Sequence, residues 1–135
     1  MVIMNNKKQL DLFRKLGLEE ALSHIIKSMP LKQQEVVLYT HSHIPFRQNS
    51  LLIYALTPKN YSDNKTINIC AIVEALWIWA IIIDDIFDGD TVRYGKPSTW
   101  KKYGKKSTIN SLRYFKKMIT KSVSDNFGIH VGKIC

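Results

Sequence analysis

The chain has 135 residues, 45% hydrophobic and 23% charged, a length and balance that suit one soluble globular domain with a moderate core. Its formal net charge of +9 favours anionic partners, whether diphosphates, a nucleic acid or a membrane surface. Two cysteines, Cys70 and Cys135, exclude a disulfide framework, and no secretory leader is visible, so a cytoplasmic location is expected.

In chain order the elements read as helices. A helical segment over 7–16 ends at Gly17. Leu18, Ala21, Leu22, Ile25 and Ile26 then recur at the spacing of a helix with one buried face, with Glu19 and Glu20 in its first turn, Lys27 near its end and Pro30 as its stop. A short helix is expected over 31–39, a new segment from Pro45, and an apolar helical piece over 50–56. Residues 57–65 have the Pro, Asn, Ser and Asp content of a loop. A long helix follows over 66–87, then an irregular connection over 89–106 rich in Gly, Pro and Lys. Ile109, Leu112, Phe115 and Ile119 mark a last amphipathic helix, with Ser107 or Thr108 placed to cap it. The apolar run 75–83 is far short of a membrane span, and extending it back to Ile67 includes Glu74, so no transmembrane segment is expected.

That run ends on Asp84-Asp85-Ile86-Phe87-Asp88. Residues three and four apart share a helix face, so the three carboxylates are expected to point much the same way. Clustered like charges repel unless a cation sits between them. Mg²⁺ binds one or two carboxylates and leaves its other positions to water and substrate phosphates. The alternative is an ordinary solvated acidic helix end.

The residues after the cluster bear on that choice. From Glu74, ten residues before Asp84, the chain runs through DDxxD to Arg93-Tyr94-Gly95-Lys96-Pro97 and then Lys101-Lys102-Tyr103-Gly104. This order resembles the trans-isoprenyl diphosphate synthases, the polyprenyl synthetase family, whose first aspartate-rich motif is followed by an arginine pair and Gly-x-Pro. The resemblance implies an all-α helical bundle. Its helices would surround a cavity in which Asp84, Asp85 and Asp88 hold Mg²⁺ bridged to an allylic prenyl diphosphate. Arg93 would donate to the same diphosphate. Departure of that diphosphate would leave an allylic cation, attacked by isopentenyl diphosphate away from water. Trp79, five residues before the first aspartate, matches the bulky position of short-chain synthases, whereas Ala80 is small.

The sequence also departs from the family. Members are much longer and carry a second aspartate-rich motif facing the first; here the remaining acids are scattered through the chain. The resemblance therefore implies the N-terminal half of the isoprenoid synthase fold, a partial domain over 1–135, incomplete on its own. Of the segment that holds isopentenyl diphosphate in the family, only Arg47 matches, at its second arginine; Ile44 replaces its lysine and Pro45 its first arginine, Trp77 stands at a His or Gln position, and Tyr94 at the second arginine of the pair. Such contacts predict poor condensation with isopentenyl diphosphate.

Two further readings follow. A terpene-cyclase-like protein would need no isopentenyl site and could line its cavity with Trp77 and Trp79, which otherwise read as core. A non-catalytic subunit or remnant could pair, as a homo- or hetero-oligomer, with a complete synthase through exposed apolar helices, and a half-bundle predicts such exposure. Nucleic-acid binding has weaker support. Lysines from Lys96 to Lys121 are interleaved with aromatics, but no zinc-finger or RNA-binding signature accompanies them. His41 and His43 read as loop histidines without a third metal ligand.

Overall fold

The computed structural model describes residues 5–58 and 63–128. Its longest helix, α5 (Asp63–Asp88), is apolar over much of its circumference, and a helix of that kind is stable only when other elements cover it. α2 (Leu18–Lys27), α4 (Gln48–Leu56) and α7 (Lys105–Phe127) do so, and α3 (Leu31–His43) packs on α7. Phe13, Leu22, Ile26, Ile78, Ile82 and Phe115 are fully buried within one core cluster. The architecture is the expected all-α bundle.

Local signals explain most boundaries. Asn5 caps α1 (Asn6–Lys15), its side chain accepting from the Lys8 amide at 2.9 Å. Gly17, at φ +85°, turns the chain out of α1 and into α2, whose buried residues are Leu18, Leu22, Ile25 and Ile26.

Three expectations are corrected. α3 extends to His43, beyond the helix expected over 31–39, and His41 and His43 lie on its last turn rather than in a loop. Thr40 and His41 are polar yet buried, because Thr40 Oγ1 hydrogen-bonds Thr99 Oγ1 and His41 meets Glu19 and Arg47. The connection over 89–106 is ordered. It contains a two-stranded antiparallel hairpin, β1 (Val92–Arg93) with β2 (Lys96–Pro97), then α6 (Thr99–Tyr103), and α7 starts at Lys105. Tyr94 and Gly95 both take positive φ, at 53° and 75°, as a tight two-residue hairpin turn demands. Finally, Gly104 precedes α7, so Ser107 and Thr108 lie inside it; Thr108 Oγ1 donates back to the Gly104 carbonyl at 2.7 Å.

By length and composition α5 could cross a membrane, so the short apolar run underestimated it; half of its most apolar stretch is nevertheless buried inside the bundle. Cys70 is a core thiol, as expected, its pKa pushed up by burial to about 11. Cys135, His130 and residues 59–62 of the loop expected over 57–65 lie outside the described residues, while 63–65 belong to α5 rather than to a loop.

Candidate functional site

The acidic cluster closes α5. Gly89, at φ +69°, takes the left-handed conformation that terminates helices, and the Asp90 amide donates back to the Asp85 carbonyl at 3.0 Å. No basic residue occupies the last turn of α5. Asp84, Asp85 and Asp88 therefore stand at the negative end of the helix dipole, where carboxylates are disfavoured.

The three do not point the same way, which corrects the expectation. Asp84 and Asp88, one helical turn apart, are exposed, whereas Asp85 is 1% exposed. Asp85 continues the buried face of Ile78, Ile81 and Ile82, seven, four and three residues before it, and Arg93, carried by β1, meets its charge there. Arg93 Nε donates to Asp85 Oδ1 and Oδ2 at 3.0 and 3.3 Å, and its Nη2 donates to Oδ1 as well. The same Nη2 is 3.8 Å from Asp84 Oδ2. The hydrogen bonds from Arg93 to Asp85 hold the guanidinium above its usual range, against a smaller opposing effect of burial. The guanidinium is thus fixed at the mouth of the cluster with about a third of its side chain still in contact with solvent.

The hairpin holding Arg93 is itself braced. The Asp90 carbonyl accepts from Ser98 Oγ and Trp100 Nε1, both at 2.7 Å, and Tyr39 Oη donates to the Pro97 carbonyl at 2.7 Å. Tyr94 meets Phe46 edge-on with ring centroids 5.9 Å apart. Ser98, Trp100 and Tyr39 were not foreseen. For Ser98 and Trp100 the trace in the sequence is the Ser-Thr-Trp that follows the Gly-Lys-Pro turn; Tyr39, on α3, has none.

Arg47 lies elsewhere. It is 4% exposed, and its guanidinium donates to the carbonyls of Ile44 and Phe46 at 2.8 Å and of His41 at 3.3 Å. Its Nε is 3.8 Å from Oε1 of the equally buried Glu74, and Ser50 Oγ donates to Glu74 Oε2 at 3.1 Å. Burial pulls Arg47 below its usual range against the pull of Glu74, and pushes Glu74 up against the pull of Arg47. His41 Nε2 extends the cluster to Glu19 Oε1 at 3.4 Å, and that contact lowers the Glu19 pKa.

The two tryptophans face different ways, since residues two apart on a helix sit on nearly opposite sides. Trp79 Nε1 donates to the Leu112 carbonyl of α7 at 3.3 Å. Trp77 lines a groove of about 410 Å³ between α4 and α5 with Leu52, Leu76 and Ala80. They do not line one cavity together.

Hairpin, acidic helix end and bundle coincide with a match to a family model. Residues 46–131 match the model for polyprenyl synthetase. The chain belongs to the polyprenyl synthetase family. No curated protein matches it significantly. Polyprenyl synthetases are prenyltransferases of isoprenoid biosynthesis; they bind allylic prenyl diphosphates and generally use Mg²⁺. Among the described residues no three His, Cys, Asp or Glu side chains converge as a ready-made metal site. The donor set nevertheless fits magnesium, which takes hard oxygen ligands from one or two carboxylates and the rest from water and phosphate. Asp84 and Asp88 offer two exposed carboxylates on one turn.

Proposed function

We propose that this chain binds the diphosphate of an allylic prenyl diphosphate at the end of α5, with Asp84 and Asp88 as the magnesium ligands. The observation that carries this reading is the division of labour among the aspartates: two exposed and one buried against Arg93. Asp85 acts as a positioning residue, aiming Arg93 so that its free edge can donate to the diphosphate. Mg²⁺, when bound, would neutralise charge that builds on a departing diphosphate. Arg93 serves the same end as a cation fixed before the ligand arrives, with little reorganisation left to make. The Tyr39, Ser98 and Trp100 hydrogen bonds keep the hairpin in register with the helix end.

Arg47 is read as a structural cation, since its Nη1 and Nη2 donors are taken by protein carbonyls and its buried Nε faces Glu74 Oε1 at 3.8 Å as an ion pair without a hydrogen bond. With Ile44, Pro45 and Tyr94 at the neighbouring matched positions, these residues supply little to hold an isopentenyl diphosphate. The described residues then form an allylic half-site, and the facing acidic cluster of a complete synthase would come from outside them. The exposed Leu52 and Leu76 beside Trp77 suit contact with that further structure, in the same or another chain.

Calorimetric titration with a non-hydrolysable farnesyl diphosphate analogue tests the reading. Binding should require Mg²⁺ and disappear in Asp84→Ala and Asp88→Ala. Magnesium-independent binding, or none by a folded sample, would refute it.

A further inference from the structure

The net charge of the chain is confined to one stretch. Residues 96–121 contain nine lysines and arginines and no acid, while the rest of the chain carries eleven cations and eleven acids and is formally neutral. On α7 the placement is ordered. Thr108, Leu112, Phe115, Ile119 and Val123 are buried, and Lys106, Arg113, Lys117 and Lys121 form a single exposed stripe on the other side, flanked by Lys105 and Lys116. From Lys106 to Lys121 the stripe is about 22 Å long. Arg113, Lys117 and Lys121 are like charges four apart, which weakens a helix. Among the described residues none of these cations pairs with a carboxylate. A repulsive, unneutralised stripe calls for an external anion.

We propose that this basic face docks the protein on an anionic phospholipid membrane surface. Two observations favour a lipid surface over a nucleic acid. At the corner of α6 and α7 an open bay of about 1110 Å³ is lined by Tyr103 and Ile109, by Ser107 and Asn110, and by the cations Lys105, Lys106 and Arg113. Apolar surface lined together with cations matches the boundary between headgroups and acyl chains. The aromatics of the segment, meanwhile, are engaged and offer no free platform for stacking bases. Trp100 donates to Asp90, Tyr103 meets Tyr39 edge-on, and Lys117 lies over Tyr114. The proposal does not depend on the reading of the aspartates, although a membrane-docked protein would sit where prenyl diphosphates, as amphiphiles, concentrate.

Co-sedimentation of the chain with vesicles tests it, comparing phosphatidylcholine containing one-third phosphatidylglycerol with phosphatidylcholine alone. Binding should need the anionic lipid and fall steeply with added salt. Reversing Lys106, Arg113, Lys117 and Lys121 to Glu should weaken it about thirtyfold or more. Reversing the exposed Lys7, Lys8, Arg14 and Lys15 of α1, an identical change in net charge, should leave most of it. Equal binding to neutral vesicles, equal loss in both variants, or binding that survives high salt would overturn the proposal. So would a single-stranded RNA that displaces the protein from vesicles at concentrations below those at which the vesicles bind, which would make nucleic acid the partner. If the stripe variant proves unfolded by circular dichroism, the salt series and the RNA competition on the unaltered chain decide. The Asp84 and Asp88 variants, read by the calorimetry above, should bind vesicles normally, so the two proposals fail separately.

Discussion

α5 carries charge in two places that the fold treats in opposite ways. At mid-helix Glu74 is buried with Arg47, Ser50 and His41 around it, and every charge there faces protein. Ten residues on, at the helix end, Asp84 and Asp88 face solvent, and only Asp85 is taken in, by Arg93. The same residue chemistry on one helix therefore serves cohesion in one turn and, in the function proposed above, ligand binding in another, and burial is what separates them. A buried charge costs several kcal/mol to desolvate, so it persists only when its partners are built in. An exposed carboxylate at the negative end of a helix gains little from the fold, Asp84 only a loose contact with Arg93, and the proposed ligand would supply the compensating interaction.

The sharpest way to break that contrast is to remove the buried cation. Arg47→Met leaves Glu74 uncompensated and should cost about 3–5 kcal/mol by urea denaturation. The paired change Arg47→Met with Glu74→Leu should recover much of this, because a well-packed apolar pair replaces a desolvated ionic one. The pH dependence has a definite sign. Burial raises the Glu74 pKa in the folded state above its ordinary value, so the native protein binds the extra proton first. Stability carried by that group is then highest at acid pH and falls as pH rises through the raised pKa. The cost of Arg47→Met should shrink as the buffer is taken from neutral toward the ordinary carboxylate range. A cost independent of pH would show that lost packing, not charge, dominates.

Asp85→Asn comes next, at the hinge between the two kinds of site. Asp85 is buried like Glu74, but its partner Arg93 is part-exposed, so the cation released can be solvated and the loss should be smaller, about 1–3 kcal/mol. Its second readout is binding. If Asp85 positions Arg93, analogue affinity should weaken while the magnesium requirement persists; loss of the magnesium requirement would make Asp85 a metal ligand instead.

Gly89→Ala probes how the helix end is set. At φ +69° an alanine is strained although space around it is open, so about 1 kcal/mol of stability should be lost. Because the same turn fixes where Asp88 stands, analogue binding should weaken too.

The sequence made the acidic motif legible but not its internal geometry. Spacing on a helix places Asp84 and Asp88 on one face and Asp85 on the apolar face of Ile78 and Ile82, yet it cannot tell that Arg93 arrives from a hairpin eight residues on to meet it there. The hairpin was hidden because Tyr94 is an unusual residue at positive φ, and two-residue strands leave no alternating pattern to read. The bundle itself was readable wherever apolar residues recur, as in α2 and α7. α3 ran past its expected end because its last turn is buried through polar contacts, Thr40 to Thr99 and His41 to Arg47, which no hydrophobic periodicity reports. The Glu74 cluster was invisible for a related reason: its members come from α2, α3, α4 and the α3–α4 link as well as α5, and only packing brings them together.

The smallest expected effect on stability is also the most diagnostic. Asp88 is exposed, sits at the last position of α5, and has no basic neighbour in its own turn. Asp88→Asn removes a negative charge from the negative end of a helix dipole and relieves repulsion with Asp84, so the protein should become slightly more stable, by about 0.3–1 kcal/mol at low ionic strength, less in added salt. At the same time magnesium-dependent analogue binding should collapse. A residue whose removal strengthens the fold while abolishing binding is held in place by function rather than by the bundle. The opposite result, a destabilised Asp88→Asn with intact binding, would place the acidic helix end on the same footing as the Glu74 cluster and erase the distinction between the two halves of α5.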